Sequence, residues 1–345
     1  MSRHILIGDI HGCYEELLAL LADCAVTDDD IVVSVGDLVD RGPDSPSVLR
    51  WFRERVERGR AIVLMGNHER KHVRQTFSYS QEITRLQFGA DYTAAVEWMS
   101  HLPYYHETPD YIAVHAAVLP GVPLAEQREE VLSGTISGER DLQAALGERW
   151  WHEVYAGDKP IVFGHHVVGN DPLVAQGRVY GLDTGACHGG RLTALVVPGF
   201  HVHSVPARAD YWESEKRKWQ APVLLGKPWM DMGFAKATRE LGRYADEGGE
   251  TIESLLAWIG SFESVIAACL PRLHEEVARI EGEHGKEGFT AAAESHPLKA
   301  LIHLTRRGRL DLDAVKQRCA TPRKAIEVAG VLGVEVKVQP PAGVG

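Results

Sequence analysis

A chain of 345 residues with 44% hydrophobic and 25% charged side chains has room for two domains, or for one large domain with a tail. This composition excludes disordered, collagen-like and coiled-coil classes. The net charge of −11 is concentrated in residues 1–205, which carry 17 Lys and Arg against 28 Asp and Glu, whereas residues 206–345 carry 20 of each. A chain-wide electrostatic footprint for nucleic acid is therefore excluded, and an anionic substrate must be held by local charges or by metal ions.

The N-terminus enters a strand-like run at His4-Ile5-Leu6-Ile7 without the basic, apolar and small-residue regions of a signal peptide. No run approaches about 18 consecutive apolar residues, so a cytoplasmic protein without membrane contact is expected. The five cysteines, Cys13, Cys24, Cys187, Cys269 and Cys319, are odd in number, scattered and free of any CxxC pair, which fits reduced thiols.

Along the chain, His4–Ile7, Ile31–Val35 and Ala61–Met65 are short, β-branched runs that read as buried strands. Between them, Leu17, Leu18, Leu20 and Leu21 form one helical apolar face, and Val48, Leu49, Phe52 and Val56 form another after Pro46, which suits a first helical turn. The β-α-β-α-β order predicts a sheet that is parallel in this half. Tyr111–Val114, Pro160–Phe163, Arg178–Leu182 and Leu192–Val197 are further strand candidates. After about Val205 the pattern becomes helical. From Ile252 to Ile280 the apolar residues keep helical spacing for roughly eight turns, with a bend expected near Pro271. Residues 313–332 predict two short helices, the second capped by Thr321 and opened by Pro322. The expected organisation is an α/β domain over 1–205 and a mainly helical region over 206–345.

The strand-like runs end in polar clusters: Gly8-Asp9-Ile10-His11-Gly12, Gly36-Asp37-Leu38-Val39-Asp40-Arg41-Gly42 and Gly66-Asn67-His68-Glu69, then His115, then Gly164-His165-His166. The carboxyl ends of strands in open α/β sheets are where neighbouring loops converge on ligands. Asp, His and Asn gathered there make a mixed oxygen and nitrogen donor set, suited to Mn²⁺, Fe or Zn²⁺ and unlike the thiolates of structural zinc. Six donors exceed what one open catalytic ion uses, and a carboxylate can bridge two ions.

These blocks together, with Gly181-Leu182-Asp183-Thr184-Gly185 and Gly189-Gly190-Arg191-Leu192-Thr193-Ala194-Leu195 near the end of the region, closely resemble the signatures of the calcineurin-like metallophosphoesterases. Within them the likeness is to the phosphoprotein phosphatase group and its bacterial relatives, including symmetrical dinucleoside tetraphosphatases. It covers residues 4–205 and implies a layered metallophosphoesterase-type β-sandwich flanked by helices. It further implies that Asp9 and His11 hold a first metal, that Asp37 bridges, and that Asn67, His115 and His165 hold a second. His68 becomes the general acid, oriented by Asp40, and Arg41 binds phosphoryl oxygens. A second phosphate-binding arginine is usual in the group; Arg149, beside Trp150-Trp151, fits it, with Arg140 as competitor. His166 departs from the threonine common at that position and reads as a surface or supporting histidine. Glu69 and Arg70 open the helix that follows them.

The resulting expectation is a phosphohydrolase with two divalent ions, Mn²⁺ foremost and Fe or Zn²⁺ as alternatives, in which metal-bound hydroxide attacks phosphorus directly. It would act on phosphomonoesters, including phospho-Ser/Thr in proteins. The alternative is a symmetrical dinucleoside tetraphosphatase or related nucleotide or RNA-end hydrolase. The partner is a phosphorylated protein or nucleotide. Nucleic acid is not the expected partner; it could be met only through the C-terminal region, at Lys216-Arg217-Lys218-Trp219 or within residues 300–345, which carry eight basic and four acidic side chains.

Overall fold

The structure, a computed structural model, describes residues 3–244 and 247–344. Its strands are β1 (His4–Ile7), β2 (Ile31–Ser34), β3 (Ala61–Val63), β4 (Tyr105–Glu107), β5 (Ile112–Val114) and β6 (Ile161–Phe163). They continue with β7 (Leu173–Ala175), β8 (Val179–Gly181), β9 (Asp183–Thr184), β10 (Arg191–Val197) and β11 (His201–Pro206). One sheet has the order β11-β10-β1-β2-β3, with β9 also paired to β10; the other has the order β4-β5-β6-β8-β7. β1, β2 and β3 are parallel, as the β-α-β-α-β pattern predicts, and β5, β6 and β8 are parallel in the second sheet. The β11, β4 and β7 edges are antiparallel, whereas the β3 edge is parallel.

Side-chain alternation builds the layers. Leu6 and Val33 turn toward Tyr111, Ala113, Val162 and Leu182 to form the core between the sheets. Their neighbours Ile5, Ile7 and Val32 turn the other way, onto helices α1 (Tyr14–Asp23) and α2 (Ser45–Glu57). The outer face of the second sheet, through Val114, Ile161, Phe163 and Val179, is covered by Val131, Leu132 and Trp151. The result is a sandwich of two sheets with helical layers outside, the fold class expected from the sequence.

Three details differ from expectation. Leu18, placed on the buried face of α1, is 39% exposed, since only Leu17, Leu20 and Leu21 point at the sheet. Strands β4, β7, β9 and β11 were not anticipated, being short or, like β11, half-exposed and polar. The long C-terminal helix, Glu250–Glu294, keeps helical dihedrals through Pro271 and breaks instead at Gly285, with φ 66° and ψ 176°. Proline's fixed φ is compatible with a helix, whereas a positive φ is open to glycine at little steric cost.

The chain divides into two compact units, up to Trp219 and from Gln220 onward. The second unit is helical. By length and composition Glu250–Glu294 could cross a membrane, yet Leu255, Trp258, Phe262, Cys269 and Leu273 are buried within the unit. The two short helices near the end are Leu312–Arg318 and Pro322–Val331, and the Thr321 hydroxyl accepts from the Lys324 N–H at 3.4 Å. All five cysteines are unbonded and buried.

One ion pair fastens the start of β1 to the entry of β2. Arg3 donates to both Asp30 carboxylate oxygens, at 3.1 and 2.7 Å, and the Thr27 N–H adds a third bond. The Arg3 hydrogen bond is the main reason the Asp30 carboxyl is held at about 2. Its contribution is complete above the ordinary carboxylate value and disappears as pH falls toward about 2. Asp30→Asn is therefore expected to cost about 1 kcal/mol at pH 7. In denaturant melts the gap to the parent protein should narrow steadily between pH 4 and pH 2.

Candidate metal centre

The loops that leave β1, β2, β3, β5 and β6 meet at one end of the sandwich, bringing His11, Asp37, Asn67, His68, His115 and His165 together. The backbone bends hard to do so. Among the described residues nine non-glycine residues have positive φ, and His11, Asp37, Asp40, Arg41 and His165 are five of them. Each such conformation costs on the order of 1–3 kcal/mol, so surrounding contacts must enforce it.

Glu69 supplies much of that enforcement. It is fully buried and accepts from the backbone N–H groups of Asp37 (2.9 Å), Leu38 (2.8 Å), Val39 (3.3 Å) and Gly66 (3.1 Å). One carboxylate thus ties the Asp37 loop to the Asn67 loop. Burial and the Asp37 charge push its carboxyl up to about 8, against the pull of those N–H groups. The sequence reading gave Glu69 only a helix-opening role; its contacts become visible once the two loops are adjacent.

The hydrogen bonds fix which imidazole atoms face the cluster. His11 Nδ1 donates to the Val39 carbonyl at 2.8 Å, and His115 Nδ1 donates to the Val35 carbonyl at 3.0 Å. Each Nε2 is left with its lone pair, the arrangement of metal-binding histidines. His115 Nε2 then lies 3.1 Å from Asn67 Oδ1 and 3.4 Å from Asp37 Oδ1. His165 Nδ1 lies 3.1 Å from the same Asn67 oxygen. On the other side, His11 Nε2 is 3.6 Å from Asp37 Oδ2 and accepts from Arg41 Nη1 at 3.1 Å. Asp37 presents one oxygen to each set, as a bridging carboxylate would.

Acceptors crowded on acceptors fit a cation. Asp37 with His11 and His68 forms one compact group of candidate donors, and Asp37 with His115 and His165 forms another. Burial lowers the His115 imidazole to about 4 and lowers His11 well below its ordinary value, so both are neutral donors near pH 7. Asp9 is not within either group. Both its oxygens accept the His165 backbone N–H, at 3.0 and 3.1 Å. Burial, then the neighbouring charges of Asp183 and Asp37, raise its carboxyl well above the usual range, a crowding that a divalent ion would relieve. Asp183, 3% exposed and raised by burial, was quoted in the Gly181–Gly185 block without a role; only the fold sets it against Asp9 and Asp37.

His68, though within reach of Asp37 and His11, differs from the other histidines in its partners. Its Nδ1 bonds Asp40 Oδ2 at 2.5 Å, while its Nε2 is buried without a hydrogen-bond partner among the described residues, 4.0 Å from Asp37 Oδ2. Asp40 is itself held by His72 Nε2 at 2.9 Å and by the Gln81 amide. Burial opposes its charge, but His72 and His68 outweigh that and keep the carboxyl well below the usual range. His72 and Gln81 were not anticipated, because both reach Asp40 from helices that follow the motif. Glu139, likewise unanticipated, approaches His165 Nε2 at 3.3 Å. Arg149 lies outside the cluster, lining a neighbouring pocket with Trp150 and His166. Burial and then His165 lower the His166 imidazole to about 4.

The family profile of calcineurin-like phosphoesterases matches residues 3–186. The chain is a calcineurin-like phosphoesterase. It is 30% identical over 234 residues to bis(5'-nucleosyl)-tetraphosphatase PrpE (asymmetrical) of Halalkalibacterium halodurans, an alignment covering 59% of this chain and 93% of that one. The symmetrical bis(5'-nucleosyl)-tetraphosphatase of Shewanella baltica is 32% identical over 158 residues, covering 43% of this chain and 57% of that one. A solved structure provisionally named a diadenosine tetraphosphatase is 28% identical, covering 60% of this chain and 94% of the other with a TM-score of 0.49. This phosphoesterase is thus a phosphoester hydrolase of a family that uses divalent metal ions.

The packing of Gly66 gives a direct check on the cluster. A Cβ there would sit 2.1 Å from Asp37 Oδ1 and 2.6 Å from the Asp37 nitrogen. Gly66→Ala is expected to displace Asp37 and weaken Mn²⁺ binding by roughly tenfold or more, measured by calorimetric titration, with the circular dichroism spectrum retained.

Proposed function

We propose that this phosphoesterase hydrolyses phosphoric anhydrides of nucleoside polyphosphates, with dinucleoside tetraphosphates as the leading substrate class. The observation that carries the reading is a groove of about 460 Å³ beside Asn67 and His165, lined also by Arg70, Lys71 and Arg74. Arg70 is engaged by Glu130 at 2.6 Å and by the Ser133 hydroxyl. The Lys71 side chain has no hydrogen bond or ion pair among the described residues, and the Arg74 side chain has only a 3.9 Å approach to the same Glu130. Two underused cations beyond the reacting phosphate suit a chain of further phosphates. The names of the relatives point the same way.

The donors Asp9, His11, Asp37, Asn67, His115 and His165 would hold two divalent ions, Mn²⁺ foremost and Fe or Zn²⁺ as alternatives, which supply Lewis-acid polarisation and an activated water when bound. The chain's own groups do the rest. Arg41, beside His11, offers a planar guanidinium to the phosphoryl oxygens. His68 passes a proton from Nε2 to the departing oxygen, and Asp40 keeps the ring turned for that transfer through Nδ1. His72 and the Gln81 amide hold Asp40 in turn. A cytoplasmic location without membrane contact belongs to the same proposal, and any contact with nucleic acid would fall to the C-terminal region, residues 206–345.

A second reading, hydrolysis of phosphomonoesters including phospho-Ser/Thr in proteins, is favoured by the completeness of the acid. An alkoxide needs a proton in the transition state, whereas a nucleotide phosphate leaves with less help. Specificity constants decide between them: diadenosine tetraphosphate is expected to exceed a phosphoserine peptide by roughly a hundredfold or more, and the reverse order sinks the proposal. Exhaustive EDTA dialysis is expected to abolish turnover and added Mn²⁺ to restore it.

The acid is separable from the donors. His68→Asn should retain the metal content of the parent protein and lower the rate on an alkyl phosphate by roughly 10²–10⁴, with a smaller loss on nitrophenyl phosphate. Equal losses on both, or a missing ion, would remove His68 from that role.

A further inference from the structure

Trp150 is 51% exposed, whereas its neighbour Trp151 is 3% exposed and packs on Phe163. An indole left half in water beside a catalytic cluster is unusual for a soluble protein, because the ring could bury a large apolar surface. It is not a loose side chain. The ring stacks on His152 at 5.8 Å with an interplanar angle of 28°, and meets His166 edge-on at 5.3 Å. The backbone beneath it is fixed as well, the Trp150 main-chain N–H donating to the Glu153 carboxylate at 3.1 Å. His152 and His166 thus flank the ring, and the half of the residue left exposed is its open face.

That face belongs to a pocket of about 250 Å³ lined by Leu142, Gln143, Leu146, Arg149, Trp150 and His166. Such a volume falls below the usual 300–1,000 Å³ of a complete small-molecule site, and suits a single heterocycle attached to something larger. Leu142 and Leu146, one helical turn apart, give an apolar wall, and the Gln143 amide gives a donor and an acceptor. Glu139 and Glu148, also in the lining, disfavour phosphate inside the pocket and offer acceptors for ring amino groups. Arg149 makes no side-chain hydrogen bond or ion pair among the described residues, which leaves its guanidinium free for the phosphate nearest the ring.

The pocket is joined to the catalytic cluster. Glu139 lines both it and the groove beside Asn67 and His165. The His166 ring lies 4.5 Å from the His165 ring, so two successive ring contacts lead from a metal-donor histidine to Trp150. A ribose and a short run of phosphates bridge that span.

We propose that the open face of Trp150, with Arg149 and the apolar wall of Leu142 and Leu146 on helix Ile136–Leu146, is a nucleobase-binding subsite of the phosphoesterase site. The base stacks on the indole, Arg149 meets the phosphate attached to that nucleoside, and the reacting phosphorus reaches the donor cluster past His166. The inference rests on the nucleoside polyphosphate reading and names the part of the molecule that recognises the nucleoside. It also gives Arg149 a substrate-binding role at a phosphate other than the one being cleaved.

The test compares full-length parent protein with Trp150→Ala, Trp150→Phe and Arg149→Ala, each checked by circular dichroism. Diadenosine tetraphosphate is set against inorganic tripolyphosphate, which has no base. The ratio of their kcat/KM values is expected to fall about 10- to 100-fold in Trp150→Ala, mainly through KM, and to recover largely in Trp150→Phe. Adenosine 5'-monophosphate binding, followed by calorimetry, is expected to weaken in parallel in Trp150→Ala and in Arg149→Ala. An unchanged ratio and unchanged monophosphate binding in Trp150→Ala, with the parent protein still preferring diadenosine tetraphosphate, overturns the subsite and leaves the functional reading standing. A parent protein with no preference for diadenosine tetraphosphate over tripolyphosphate or the phosphoserine peptide overturns the functional reading. In that case monophosphate binding decides the subsite: its loss in Trp150→Ala supports it, and its persistence overturns it.

Discussion

Buried lone pairs facing one another are the constraint on which this site depends. His115 Nε2 lies 3.1 Å from Asn67 Oδ1 and 3.4 Å from Asp37 Oδ1, and the ring has already spent its other nitrogen on the Val35 carbonyl. Nothing in that set can donate to its neighbours, so the arrangement is repulsive until a cation enters. Where Arg41 reaches His11, a guanidinium already plays that part. The crowding of Asp9, Asp37 and Asp183 has the same origin. A protein keeps such a concentration of acceptors when its chemistry requires a Lewis acid at that spot.

Holding the donors there requires strained backbone, and the strain is met by contacts of a simple kind. Glu69 gathers four N–H groups from two loops into one carboxylate. Gly66 leaves room for Asp37 that no side chain could leave. Asp40 is fixed from three directions by His68, His72 and Gln81, so its charge is committed before a substrate arrives. The His68 ring is therefore held mainly through Asp40, although His68 follows Asn67 directly in the chain and its backbone N–H donates to Asp37 Oδ1 at 3.0 Å.

Around this centre the surface changes character over short distances. On one side lie Lys71 and Arg74, with little to neutralise them; on the other lies an aromatic and aliphatic pocket edged by carboxylates. A phosphate chain and a heterocycle ask for opposite surroundings, and the two are adjacent, with Glu139 lining both. Glu139 also approaches His165 Nε2, so the element that shapes the groove also braces a donor ring.

Much of this was legible in the amino-acid sequence because its signals are local. Asp9, His11, Asp37, Asn67 and His165, each beside a glycine, and His115 all follow short apolar runs, and the period-two alternation of those runs fixes which residues face helices and which face the second sheet. The donor types and the β-α-β-α-β order are properties of contiguous segments, so they survive without coordinates. The helical character of the C-terminal region was legible for the same reason, whereas the division at Trp219 and Gln220 lies beyond the change of pattern near Val205. What the tertiary structure decided is everything set by distant segments meeting. The reach of Glu69 into the Asp37 loop, the bracing of Asp40 by His72 and Gln81, the placement of Asp183 against Asp9, and the removal of Arg149 from the donor cluster to the Trp150 pocket all depend on loop paths. Short polar edge strands such as β4 and β11 belong here too, since their pairing is dictated by the partner strand and not by their own composition. A side chain's chemistry is carried by its residue type, but its neighbours are carried by the fold.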